Sequence, residues 1–196
     1  MNIRKYVKRC VMIALACVMI EGNSSCGNTQ NEFSSLPCRL LFDNGVHQNN
    51  TLSTSMNSVS SGIFCTIRKT MRGGATLLSF STNYGLESES QLDDSETRRT
   101  LILGQNNGII VGYGNLTDPI TFYAYDRECP NCFSSNTYPV KSRPLTVANT
   151  GIATCSVCHR EYNLNTGGNI IKGDSGKKLT RYPASTTGPL GVLNVN

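Results

Sequence analysis

Phe122-Tyr123-Ala124-Tyr125-Asp126-Arg127-Glu128-Cys129-Pro130-Asn131-Cys132 runs an alternating stretch straight into a cysteine pair. A second pair, Cys155-Ser156-Val157-Cys158, follows after the twenty-two intervening residues 133–154. Two thiolates in a C-x-x-C sit on one tight turn and can reach a single metal, and a second such turn completes a four-sulfur cage. Zinc sites built this way separate their pairs by about 15–20 residues, so this spacing is slightly long. Sulfur is a soft donor and suits zinc or iron. The C-x-x-C turn also aims backbone amides at the sulfurs, which stabilises their charge. The candidate metal ligands are Cys129, Cys132, Cys155 and Cys158.

Working outward from the pairs, period-2 alternation dominates. Phe122, Ala124 and Asp126 oppose Tyr123 and Tyr125 in one expected strand, and Ile109 to Tyr113 forms another. Pro37 to Phe42 places Cys38, Leu40 and Phe42 on one face, and residues 62–67 do the same for Ile63, Cys65 and Ile67. Leu77 to Phe80 follows the glycine pair Gly73-Gly74. Thr100 to Leu103 precedes Asn106-Asn107-Gly108, whose residues tolerate positive φ. Residues 43–61 show no period, and the acidic stretch 85–99 reads as a solvated surface insertion. With 38% hydrophobic residues, no Trp and 18 Gly, the 196-residue chain predicts one all-β domain with many turns and no long helices.

The amino end reads as an address. Arg4, Lys5, Lys8 and Arg9 precede an apolar run from Cys10 to Ile20, a length that fits a signal peptide and is too short to span a bilayer. Ser24-Ser25-Cys26 then resembles a bacterial lipoprotein cleavage site, with Cys26 as the acylated first residue. Cys17 is the competing position, but cleavage there would cut an already short apolar run. The expected organisation is a leader over 1–25, a polar tether over 26–35 and a domain over 36–196, its metal-binding lobe near 125–165. This places the protein in the bacterial cell envelope, lipid-anchored, at the outer rather than the inner membrane.

Without four leader cations and Glu21, the 18 basic and 13 acidic residues become fourteen and twelve, a net charge of about +2. No basic stripe or aromatic-plus-Arg platform points to nucleic acid. Of nine cysteines, those outside the leader, the lipid site and the two pairs are Cys38 and Cys65. In an oxidising compartment they read as a disulfide, with two separate buried thiols as the alternative. No Ser–His–Asp order, phosphate loop or paired carboxylates in an apolar context is present. Neither C-x-x-C opens a helix near a βαβ pattern as a redox motif does, so the reading is not of an enzyme. His159, adjacent to Cys158, is a possible substitute ligand, although neighbouring residues rarely both reach one metal. His47 sits in an Asn-rich loop with no informative neighbour.

The flanks of the two pairs carry a resemblance. Phe122 to Pro130 resembles the approach to the first ligand loop of Rieske iron–sulfur proteins, of the form vAydxxCPH. Cys155-Ser-Val-Cys158-His159-Arg-Glu-Tyr162, followed by Thr166-Gly167-Gly168, resembles the second box, C-x-x-H-G-S-x-F, and its TG turn. Leu179 to Pro183 and Val192 to Val195 resemble later strands of that family. The likeness covers residues 100–196, and more loosely the strands from residue 36, and it is strongest to Rieske-like lipoproteins of the Bacteroidetes type. It implies a β-sandwich with a small rubredoxin-like or zinc-ribbon-like lobe. Cys129 and Cys155 match the family's cysteine ligands. At the histidine positions the chain departs: Asn131 stands at the first histidine offset, Cys132 comes one residue late, and Cys158 occupies the second. The resemblance implies a 2Fe-2S cluster on four cysteines, of lower potential than a Rieske centre, and a redox protein partner. The alternative is a structural envelope interaction module without redox activity, in which the same thiolates hold a single zinc or iron ion or close as two disulfides.

Overall fold

The computed structural model describes residues 32–196. The expected leader over 1–25, the expected acylation site Cys26 and most of the expected tether lie outside the described residues. Residues from Phe33 to Asn196 form one compact unit, and no helix among the described residues is long and apolar enough to cross a membrane. At its start, the Ser34 amide donates to the Arg181 carbonyl at 2.8 Å, and the Arg181 guanidinium lies 5.2 Å from the Phe33 ring centroid.

The fold is mostly β, in three antiparallel sheets. The largest comprises β2 (Phe64–Arg72), β3 (Ala75–Thr82), β4 (Glu87–Gln91), β5 (Ile109–Tyr113), β6 (Phe122–Asp126) and β11 (Arg181–Tyr182), in the order β11-β6-β5-β2-β3-β4. A three-stranded sheet joins β1 (Leu40–Asp43), β13 (Val192–Val195) and β12 (Ala184–Thr186). A four-stranded sheet orders β10 (Asn169–Lys172), β9 (Glu161–Asn163), β8 (Ile152–Cys155) and β7 (Leu145–Val147). The β2–β3 hairpin turns on Gly73 and Gly74, both at positive φ, the two-residue geometry that matches strand twist.

The six-stranded sheet is apolar on both faces. From its central strands, Cys65, Ile67, Ile109, Val111 and Ala124 enter one core with Leu40, Phe42, Leu52 and Leu193. The alternate residues Phe64, Ile110, Tyr123 and Tyr125 enter a second core with Leu145, Ala153, Tyr162 and Leu164. Period 2 therefore feeds two cores from single strands. The second core contains Cys129 and Cys155, which seats the metal candidates on the back of the main sheet.

Several expectations change. Residues 43–61 contain two short helices, α1 (Asn44–His47) and α2 (Asn50–Ser55), and a 3₁₀ turn at Ser58–Ser60. Asp43, Asn49 and Asn57 cap them by accepting backbone amides, so capping rather than apolar period defines this stretch. The acidic stretch is ordered. It supplies the edge strand β4, paired with β3, and α3 (Asp94–Thr97), opened by a capping box between Asp93 and Glu96. Glu96 also accepts from His47 Nε2 at 2.9 Å, and His47 stacks on Phe42 at 4.4 Å between centroids, so this histidine has defined partners. Thr100 to Leu103 contributes one isolated bridge, Arg39 to Ile102, rather than a strand.

The disulfide is not formed. Cys38 and Cys65 are both free and buried, in the same core but in separate settings. Burial pushes the Cys38 thiol up to about 11, against a hydrogen bond to the Gly104 backbone and with the Asp126 carboxylate adding to the rise. Burial pushes Cys65 up to about 12, against hydrogen bonds involving the Ser81 backbone and the Ser55 side chain. Both remain protonated at neutral pH and behave as small apolar residues.

Candidate metal centre

The first knuckle leaves the end of β6. Glu128, 1% exposed, accepts from Asn106 Nδ2 at 2.8 Å and Ser142 Oγ at 2.7 Å, and from the Arg143 amide. The Cys129 amide in turn donates to the Arg143 carbonyl at 2.9 Å. These bonds fix where the turn begins. The Cys132 and Phe133 amides then fold back onto the Cys129 carbonyl at 3.1 and 2.9 Å. The second knuckle is the loop of the β8–β9 hairpin. The His159 amide returns to the Cys155 carbonyl at 3.0 Å, and the Cys155 amide donates to the Arg160 carbonyl at 3.1 Å.

The two turns converge. The ligating atoms of Cys129, Cys132, Cys155 and Cys158 all lie within 4.8 Å of one another, and Cys129 Sγ is 3.8 Å from Cys158 Sγ. The first cysteine of each knuckle is fully buried and the second half-buried. All four sequence candidates are brought together, in an arrangement that can hold a metal ion such as zinc or iron. His159 is not among them. It is exposed and adopts φ 55°, the left-handed conformation that closes the turn.

Electrostatics around the sulfurs is uneven. Burial raises the Cys129 thiol, while Tyr162 and the Asn131 amide pull the other way. Burial and the surrounding thiols raise Cys132 strongly. Burial also pushes against Cys158, but the Arg160 amide and guanidinium outweigh it, with help from Cys132 and Cys155, and bring it down to about 6. Adjacent thiolates repel one another, so a bound cation is what lets the sulfurs ionise together.

No protein-family model matches the chain, and no curated protein matches it.

Residues beyond the cysteines complete it. Tyr162, fully buried, has its hydroxyl 3.3 Å from Cys129 Sγ and accepts from Asn131 Nδ2 at 2.9 Å. That acceptance leaves the hydroxyl proton free to point at sulfur. Arg160 supplies positive charge beside Cys158. The spacing of the cysteines announces none of these partners, although Tyr162 sits seven residues after Cys155 in an otherwise polar strand. Tyr162→Phe removes the proton aimed at Cys129 while keeping the ring in the core. Metal affinity is expected to fall roughly tenfold, measured by chelator competition, with the fold intact by circular dichroism.

Proposed function

We propose that this chain is a lipid-anchored, Rieske-like envelope protein in which the four cysteines hold one metal ion, zinc before iron, as a structural staple. In this reading it is not an enzyme. It serves as an interaction module on the bacterial surface or in the periplasm, held through acylated Cys26. The carrying observation is the mutual spacing of the sulfurs, all within 4.8 Å. Tetrahedral coordination with Zn–S about 2.3 Å places sulfurs about 3.8 Å apart. A 2Fe-2S cluster interposes a second metal and two sulfides, so thiolates on different irons stand farther apart than thiolates sharing one ion. The observed spacing favours a single ion. A small sheet carrying two knuckles on the back of a larger β body also agrees with the architecture that the Rieske resemblance implies. Four thiols within 4.8 Å of one another would close into disulfides in an oxidising compartment unless metallated, which favours a filled site.

The second reading, a 2Fe-2S electron carrier serving a redox protein partner, is supported by the Rieske-like approach to Cys129 and by the match of Cys129 and Cys155 to that family's cysteines. One measurement separates the two: iron, zinc and acid-labile sulfide per chain in protein purified without oxygen. The expected result is about one zinc per chain and a colourless protein. Two irons with two sulfides would replace the first reading with the second. A mass consistent with paired disulfides and no metal would eliminate both.

A further inference from the structure

A third segment reaches both knuckles without offering a ligand. Residues 173–178, Gly173-Asp174-Ser175-Gly176-Lys177-Lys178, link β10 to the buried Leu179. In the first knuckle, Asn131 uses its whole side-chain amide: Nδ2 donates to the Lys177 carbonyl at 2.8 Å and Oδ1 accepts the Lys177 amide at 2.9 Å. The other Nδ2 proton goes to Tyr162. Behind the second knuckle, Arg160 Nε donates to the Asp174 carbonyl at 2.9 Å and its terminal nitrogen to the Ser175 carbonyl at 3.1 Å. Each anchor is one step from a sulfur, Asn131 through Tyr162 to Cys129 and Arg160 directly to Cys158.

The loop has glycine at both contact points. A Cβ on Gly176 would stand 2.5 Å from Asn131 Oδ1, and one on Gly173, which has φ +96°, would stand 3.1 Å from Arg160 Cγ. Side chains at these two positions would push the loop off its two anchors. The close approach is thus built in twice, once for each knuckle.

We propose that loop 173–178 is a latch on the metal centre, with Asn131 and Arg160 as its two anchors, and that it sets how fast a bound ion leaves. This rests on the reading that the four thiolates hold an ion. For that ion to depart, at least one knuckle must swing its sulfurs away. Either movement breaks a pair of hydrogen bonds to the same loop, so the two knuckles open less readily than they would separately. Asn131 and Arg160 are positioning residues: they touch the latch and the sulfur environment, not the metal.

The test is the rate at which full-length protein loaded with zinc yields it to an excess of a chromogenic chelator. Lys177→Pro removes the amide proton given to Asn131, and Lys177→Ala keeps it. We expect release to quicken about tenfold in Lys177→Pro and in Asn131→Ala, and to stay within about twofold of wild type in Lys177→Ala. The double variant Asn131→Ala/Lys177→Pro should be no faster than Asn131→Ala, which already removes both bonds to Lys177 along with the one to Tyr162. Cobalt-substituted Lys177→Pro should keep the absorption of four-thiolate coordination. An unchanged rate in Lys177→Pro, or equal quickening in Lys177→Ala, overturns the latch while leaving the metal reading intact. Wild-type protein that binds no zinc overturns both. If Lys177→Pro does not fold, hydrogen exchange of the Lys177 amide in wild type decides. Metal must slow that exchange if latch and ion are coupled, since coupling is reciprocal, and identical exchange with and without metal overturns the proposal.

Discussion

Cys129→Ser and Cys155→Ser are each expected to abolish stoichiometric metal binding, with affinity falling by more than about 100-fold, and to open residues 129–165 to proteolysis. Both cysteines are fully buried in the second core, so the loss is one of packing as well as ligation. A serine hydroxyl there is a poorer donor to a soft ion and leaves a polar group in an apolar setting. The four-stranded sheet has strands of only three or four residues, so little beyond its core contacts and the knuckles holds it. Binding energy at such a site is folding energy for the segment that forms it. Metal content by elemental analysis and limited proteolysis with mass-spectrometric mapping check the two parts together. Unchanged cleavage in a metal-free variant would show that the lobe stands without its ion.

The second large effect lies at Asp126, the last residue of β6 and three positions before the first ligand. Its carboxylate is fully buried and accepts the Tyr182 hydroxyl at 2.6 Å, the Gln105 amide at 2.7 Å and the Glu128 amide at 2.8 Å. One side chain thus ties β11, the 104–108 turn and the start of the first knuckle. Asp126→Ala leaves all three donors unpaired, and stability measured by urea unfolding is expected to fall by about 3–5 kcal/mol. Tyr182→Phe, which removes one donor, should cost only about 1 kcal/mol.

The pH dependence has a definite sign. Burial raises the Asp126 pKa above its ordinary 3.8, against the pull of the three donors. The native state therefore holds this proton more tightly than the unfolded chain. Its contribution is fully present below the ordinary carboxylate value and is lost as pH rises through the raised one. In that window the wild type gains stability on acidification relative to Asp126→Ala, and a flat difference between the two would count against this assignment.

The metal candidates were legible because C-x-x-C spacing constrains chemistry directly, and two such turns need only to be brought face to face. Strands β5 and β6 were legible because Ile109 to Tyr113 and Phe122 to Asp126 alternate between two buried faces. The helices of residues 43–61 were hidden by their shortness, since four or six residues cannot display a 3.6 period and their caps are side chains common in any loop. Strand β4 was hidden because an edge strand carries charge on its open face, as Glu87 and Glu89 do. Cys38 and Cys65 were paired by elimination, a count that carries no geometry; each settles into its own neighbourhood of the same core. Loop 173–178 carried a faint signal in Gly173 and Gly176. Its meaning depended on Asn131 and Arg160, more than a dozen residues away in sequence.

The shared wall between the two cores has a thermodynamic consequence. Because Ile109, Ile110 and Val111 face alternate sides of one strand, each side retains its own set of contacts when the other loosens. The end bearing the knuckles can then melt as a separate cooperative unit, with the opposite layer still closed over Phe42 and Leu193. On the reading that the four thiolates hold an ion, such a molecule is expected to lose and regain it without passing through the fully unfolded chain.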